Sequence, residues 1–207
     1  MFIENNFNKI FMIQNISFND FLLNINPFPD YESSIDLYLE DKIWGDTVPY
    51  TMVLLSALSK NKTVFEFGTF RGQTTYNLSK TSNQVYTFDF GSNISNEGYP
   101  EYEVGEVYKK NNASNVTQLI GDSVKYDFSE LYGKFDIIWL DGGHSYEVCK
   151  KDFETSLHLS KPHTTTIIAI DDYPAWPGVK QAVEEIAESK HLYFIPEIAL
   201  IVYIQKP

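Results

Sequence analysis

Three carboxylates stand where they could share one positively charged partner. Asp141 ends one apolar run, and the adjacent pair Asp171 and Asp172 ends another. Carboxylates gathered on one rim repel each other unless a cation or a proton separates them. An oxygen-rich donor set with open positions suits Mg²⁺, Mn²⁺ or Ca²⁺ rather than Zn²⁺. The competing reading is three strand-end caps facing water. His144 follows in the string Asp141-Gly142-Gly143-His144. An imidazole with an unperturbed pKa of about 6.5 is a usable proton acceptor at neutral pH. His144 is therefore either a general base beside Asp141 or a rim histidine that fixes the turn. His158, His163 and His191 fall away from this chemistry.

A second constellation concerns nucleotide binding. The string Glu66-Phe67-Gly68-Thr69-Phe70-Arg71-Gly72 places two glycines where a strand turns into a helix. Their missing side chains allow a tight turn and close approach of a ligand to the backbone. Asp89 ends the next strand, about 20 residues on, the spacing at which a carboxylate meets a ribose hydroxyl pair. An ordinary strand-to-helix turn with a strand-end Asp is the alternative. A dinucleotide fingerprint needs G-x-G-x-x-G, whose second glycine admits the pyrophosphate. Here Phe70 occupies that place, and Glu66 would set a carboxylate near the anion. A sulfonium with an amino-acid tail tolerates Glu66 better, so the spacing favours S-adenosylmethionine over NAD. Asp122 follows the third strand, where a carboxylate could accept from an exocyclic amine or cap a turn.

These residues need a scaffold that brings strand ends together. From residue 62 onward, short β-rich runs at 63–67, 84–88, 116–120, 135–140 and 164–170 alternate with helical stretches starting near Gln73, Glu101, Ser145 and Pro177. Runs that are apolar nearly throughout suit a parallel sheet covered on both faces. The alternation predicts right-handed crossovers and a Rossmann-like, doubly wound α/β sheet. Two final runs, 191–195 and 198–204, are separated only by Pro196 and Glu197 and must form an antiparallel hairpin. The expectation is a mostly parallel seven-stranded sheet ending in an antiparallel hairpin strand. Residues 1–48 read as an N-terminal helical cap or lid, with a short helix opening at Ser33 through about Lys42. The segment 49–207 is the main domain, entered by an amphipathic helix after Pro49.

Together these motifs resemble the class I S-adenosylmethionine methyltransferases over roughly residues 50–207. The resemblance rests on the Glu66 to Gly72 string, Asp89, Gly121-Asp122-Ser123 and the terminal hairpin. It implies that Glu66, Phe67, Gly68, Thr69 and Gly72 shape the methionine pocket, with Thr74 near its carboxylate. By the same resemblance Asp89 holds the ribose, Asp122 and Ser123 meet the adenine edge, and Asp141 also borders the cofactor. Asp141 with Asp171 and Asp172 looks like the metal triad of Mg²⁺-dependent small-molecule O-methyltransferases of the catechol and antibiotic-sugar types. Catechol-type enzymes usually end that triad in Asp-Asn and carry a lysine where this chain has His144. The implied reaction is in-line methyl transfer to a hydroxyl, with Asp141 and His144 as catalytic groups. Trp176, Trp44 and Tyr50 either wall the acceptor pocket or pack in the core. A nicotinamide oxidoreductase and a non-catalytic S-adenosylmethionine-binding scaffold are the alternative functions.

Composition narrows the partners. The 207 residues carry a net charge of -12, and no Lys/Arg cluster stands out, which disfavours a nucleic-acid substrate. No apolar run reaches the roughly 20 residues of a membrane span. The N-terminus lacks the pattern of a signal peptide. Cys149 is the only cysteine, so an intramolecular disulfide is excluded and a reducing cytoplasm is the expected home. The expected partner is a small hydroxyl acceptor, with pairing of two subunits through the cap left open.

Overall fold

The computed structural model describes residues 12–25, 49–91 and 102–207. Its strands are β1 (Ile13–Asn15), β2 (Thr63–Phe67), β3 (Gln84–Asp89), β4 (Val116–Ile120), β5 (Ile137–Leu140), β6 (Thr166–Ile170), β7 (Leu192–Ile195) and β8 (Leu200–Gln205). They form one sheet in the order β1-β7-β8-β6-β5-β2-β3-β4. Every neighbouring pair is parallel except the two made by β8, which runs against both β6 and β7. A 3-10 turn at Pro196–Ile198 and Ala199 in the left-handed region join β7 to β8, as the short spacer requires.

The sheet has eight strands, one more than expected. The addition is β1, three residues that pair in parallel with the outer edge of β7. So short a run carries no periodicity, and only the partner strand reveals it. The neighbouring turn α1 (Phe18–Asp20) continues through a π-helical turn at Phe21–Ile25. Phe21 and Leu22 are buried there against the sheet. The described part of the N-terminal segment is thus built into the main fold. The helix expected from Ser33 to about Lys42, and Trp44, lie outside the described residues.

Strand alternation sorts the core into two layers. Phe65, Phe67, Ile138, Leu140, Ile168 and Ile170 face one side, where α5 (Tyr146–Leu159) and α6 (Pro177–Ile186) cover them with Phe153, Leu159, Val179 and Val183. Val64, Ile137, Trp139, Ile167 and Ala169 face the other side. They meet α2 (Pro49–Leu58) through Leu54, Leu55 and Leu58, and α3 (Gln73–Ser79) through Leu78. Each fully buried side chain of this kind contributes about 1.5–3 kcal/mol. Pro49 suits the first turn of α2, where its missing N–H costs nothing. Tyr50 is exposed on that helix. The helix expected near Glu101 is α4 (Glu106–Lys110), and Glu101 itself lies outside the described residues.

Candidate functional site

Chain order makes the crevice. From β2 the sheet grows through β3 to β4, then the chain returns to lay β5 and β6 on the other flank of β2. The topological switch point therefore lies between β2 and β5, and ligands of open α/β sheets bind beyond the carboxyl ends there. Gly68 leaves β2 and Asp141 leaves β5 at that place. Gly68 has φ +92, and a Cβ on it would sit 1.9 Å from the Asp141 carbonyl oxygen. Only glycine fits both constraints. Gly72 has φ +84, and a Cβ there would meet Tyr108 at 2.8 Å and Gly105 at 3.0 Å. Phe70, between them, holds φ 49, a strained conformation for a bulky residue. Its carbonyl accepts from Gly105 N at 2.8 Å, and its ring lies 4.5 Å from that of Tyr102.

Asp89 is partly occupied by this loop. Its Oδ2 accepts from Thr69 N at 3.0 Å and Phe70 N at 2.9 Å, and its Oδ1 accepts from Gly91 N at 3.0 Å. The carboxylate thus shapes the glycine turn and keeps acceptor capacity on Oδ1 for a further donor. Asp122 forms an Asx turn: Oδ1 accepts from Val124 N at 3.0 Å, and Oδ2 meets Lys125 Nζ at 2.6 Å. The Lys125 ammonium holds its carboxyl below the ordinary value. The Ser123 hydroxyl lies close enough to lower the Asp152 carboxyl against the effect of burial. Thr74 lies buried in the first turn of α3.

Glu66 is fully buried at the end of β2, on the face covered by α3. Its Oε2 accepts from Thr75 Oγ1 at 2.5 Å and Thr87 Oγ1 at 2.6 Å. Thr87 gives its proton to Glu66, so Thr69 must donate to Thr87 at 2.7 Å, and Gln118 Nε2 donates to Thr69 at 3.0 Å. Gln118 Oε1 in turn accepts from Tyr108 at 2.9 Å. Every hydroxyl in this chain points toward Glu66. Yet Glu66 Oε1 has no partner. A buried acceptor without a donor is costly and marks a place for one.

Across the crevice, Asp141, His144 and Asp172 converge, with one donor atom from each lying within 4.8 Å of the others. His144 Nε2 lies 2.9 Å from Asp172 Oδ2. Asp171 is not part of that trio, but its charge reaches it. Burial first, then the charges of Asp171 and Asp172, push the Asp141 carboxyl well above its ordinary value. Burial also pushes Asp171 to about 7. Asp172 adopts φ 67, a conformation aspartate tolerates better than most residues. The imidazole of His144 stacks on the indole of Trp176, with ring centroids 4.4 Å apart and planes 14° from parallel. His158 stacks on Tyr132 and His191 meets Gln14, both away from this cluster.

A family model described as a methyltransferase domain matches residues 65–173, more than half of the chain. The chain belongs to this methyltransferase family. A search of curated proteins by sequence gives no significant match. Among solved structures, this methyltransferase is similar to an O-methyltransferase from Bacillus cereus in complex with SAH. The TM-score is 0.57 at 19% identity, covering 91% of this chain and 96% of that one. It is also similar to CalS11, a TDP-rhamnose 3′-O-methyltransferase of calicheamicin biosynthesis, at TM-score 0.56 and 15% identity, covering 84% and 92%. An rRNA methylase from Streptococcus thermophilus follows at TM-score 0.52 and 14% identity, covering 79% and 98%. At such identities the likeness shows the fold, and the acceptor must be argued from the site. Among the described residues no helix is long and apolar enough to cross a membrane.

Sequence reasoning missed two features of this methyltransferase. One is the hydroxyl chain to Glu66, whose threonines and glutamine come from separate elements and share no local spacing. The other is Asp152 on α5, almost fully buried, with Oδ1 unpartnered and its carboxyl pushed by burial to about 7. Glu66 is also pushed to about 7, chiefly by burial and against the two threonine hydroxyls. Both carboxyls ionise near 4 in the unfolded chain. Between about pH 4.5 and 7 the unfolded state gives up protons that the native state keeps, so native stability falls with rising pH in that window. For Glu66 alone the loss is on the order of 3 kcal/mol. Urea unfolding of the ligand-free protein is expected to show stability declining from pH 5 to 8, and Glu66→Gln is expected to flatten the decline.

Proposed function

We propose that this methyltransferase moves the methyl group of S-adenosylmethionine to a hydroxyl oxygen of a small molecule, with a divalent cation held at Asp141 and Asp172 and with Asp171 beside them. The observation that carries the reading is the meeting of Gly68 and Asp141 at the switch point. It sets a glycine-lined nucleotide turn directly against a rim of carboxylates. When bound, the cofactor supplies the methyl group, and the cation supplies Lewis acidity and orientation toward acceptor oxygens.

The residues present suit both groups. Glu66 Oε1 is a buried acceptor in need of a donor, which an ammonium-bearing amino-acid tail provides. A pyrophosphate would instead bring negative charge toward it, so the same atom disfavours a nicotinamide cofactor. Gly68 and Gly72, without side chains, would let the methionine portion approach the turn that Phe67 and Thr69 anchor, and Thr74 would meet its carboxylate. Asp89 Oδ1 would accept from the ribose, and Asp122 and Ser123 would border the adenine. On the other side, burial first and then the charges of Asp171 and Asp172 raise the Asp141 carboxyl, and burial raises Asp171 to about 7, a cost that a divalent cation would relieve.

His144 completes the arrangement. With Nε2–H donated to Asp172, Nδ1 is the basic nitrogen of the neutral ring, and Asp172 fixes that tautomer. The imidazole takes the acceptor proton directly or through water. Holding the oxygen, the methyl carbon and the sulfur in line accounts for most of the acceleration.

Calorimetric titration separates the readings. S-adenosylhomocysteine is expected to bind stoichiometrically and NAD not at all. Mg²⁺ or Mn²⁺ is expected to bind the S-adenosylhomocysteine-loaded protein and raise its melting temperature. Binding of NAD in place of S-adenosylhomocysteine contradicts the cofactor assignment. Tight S-adenosylhomocysteine binding with no effect of any divalent ion contradicts the metal assignment.

A further inference from the structure

We propose that Trp176 is a positioning residue for His144, acting through the stacked ring pair. The proposal rests on the reading of His144 as the proton acceptor. The contact of Nε2 with Asp172 fixes one edge of the imidazole. The indole fixes its face, which it covers at 4.4 Å and 14°.

Trp176 is itself anchored at both ends. Its backbone N donates to Asp172 O at 3.2 Å, so the residue that holds the imidazole edge also holds the residue that covers its face. Pro177 opens α6 immediately after it. Gly178 then lets this helix start lie directly on the His144 turn: a Cβ at Gly178 would stand 2.3 Å from His144 O and 2.7 Å from Tyr146 N. Trp176 is 43% exposed and lies outside both buried clusters of the core. The stack and the Asp172 contact constrain the imidazole in two perpendicular directions, which is the orientation a proton acceptor needs.

The test compares Trp176→Phe, Trp176→Ala and His144→Ala in the full chain. In the ligand-free wild type, the His144 ring protons are expected upfield, within the indole ring current. The ¹H–¹⁵N imidazole correlations are expected to report one fixed tautomer, with assignments set by loss of the signals in His144→Ala. Trp176→Ala is expected to lose the upfield shift and average the tautomer, while Trp176→Phe keeps both in part. In labelled methyl transfer, Trp176→Ala is expected to lower kcat about 30-fold with KM for S-adenosylmethionine within about twofold, and Trp176→Phe to recover most of the loss. Unchanged imidazole spectra in Trp176→Ala overturn the proposal, as does a Trp176→Phe variant no better than Trp176→Ala. Wild-type turnover in His144→Ala overturns instead the reading of His144 beneath it.

Discussion

Gly68→Ala is expected to abolish S-adenosylhomocysteine binding and to destabilise the protein by several kcal/mol. The new Cβ would stand 1.9 Å from the Asp141 carbonyl oxygen and 2.6 Å from its carbon, both backbone atoms at the end of β5. Neither can move without breaking the β2–β5 pairing that closes on Asp141 N and Phe67 O at 2.9 Å. The φ of +92 adds strain that no L-residue side chain escapes. A cost on the order of 3–5 kcal/mol follows from the clash and the strain together. Gly133→Ala is the comparison. That glycine also has positive φ, +73, but a Cβ there meets only the ring edge of Pro162, at 3.2 Å and not 1.9 Å. It is expected to cost about 1 kcal/mol and to leave S-adenosylhomocysteine affinity unchanged. Urea unfolding and calorimetry on the two variants separate a general glycine effect from one that belongs to the crevice.

Asp141→Asn is the second large change, and its two effects are expected to have opposite signs. Divalent-ion binding should be lost and methyl transfer should fall at least about 10²-fold, because one of the two carboxylates of the trio is neutralised. Stability of the ligand-free protein should rise. Burial and the charges of Asp171 and Asp172 raise the native Asp141 carboxyl, so ionising it on the way to pH 8 penalises the folded state. Asn removes that penalty. The gain is expected above about pH 5 and absent below about pH 3, where the carboxyl is protonated in both states. A variant that loses activity while gaining stability is the signature of a site held at a cost to the fold. Loss of both would assign Asp141 to structure alone.

The parts of the site legible in the sequence are those set by strand ends. A glycine at the exit of β2 and aspartates at the exits of β3, β5 and β6 are separated by regular strand–helix units. Their convergence follows from parallel topology alone, and the terminal hairpin follows from a spacer too short for a helix. What escaped depends on tertiary contacts. Asp89 spends one oxygen on Thr69 N and Phe70 N, which no spacing announces. Asp122 is held in an Asx turn by Val124 N and paired with Lys125, a role the sequence left level with adenine contact. β1 is visible only as a partner of β7. The Trp176 stack joins two loops that meet because Gly178 permits it, and the aromatic alone suggested only a pocket wall or core packing.

The central claim is that the glycine turn and the carboxylate rim form one metal-assisted O-methylation site. The most direct measurement is transfer of a deuterated methyl group from S-adenosylmethionine to a panel of vicinal-diol sugars and catechols, followed by mass spectrometry. It is run after exhaustive chelation and again after Mg²⁺ or Mn²⁺ is restored. The predicted result is label on a hydroxyl oxygen, absent after chelation and recovered with the cation. Transfer that persists undiminished without metal, or label found on nitrogen, would contradict it.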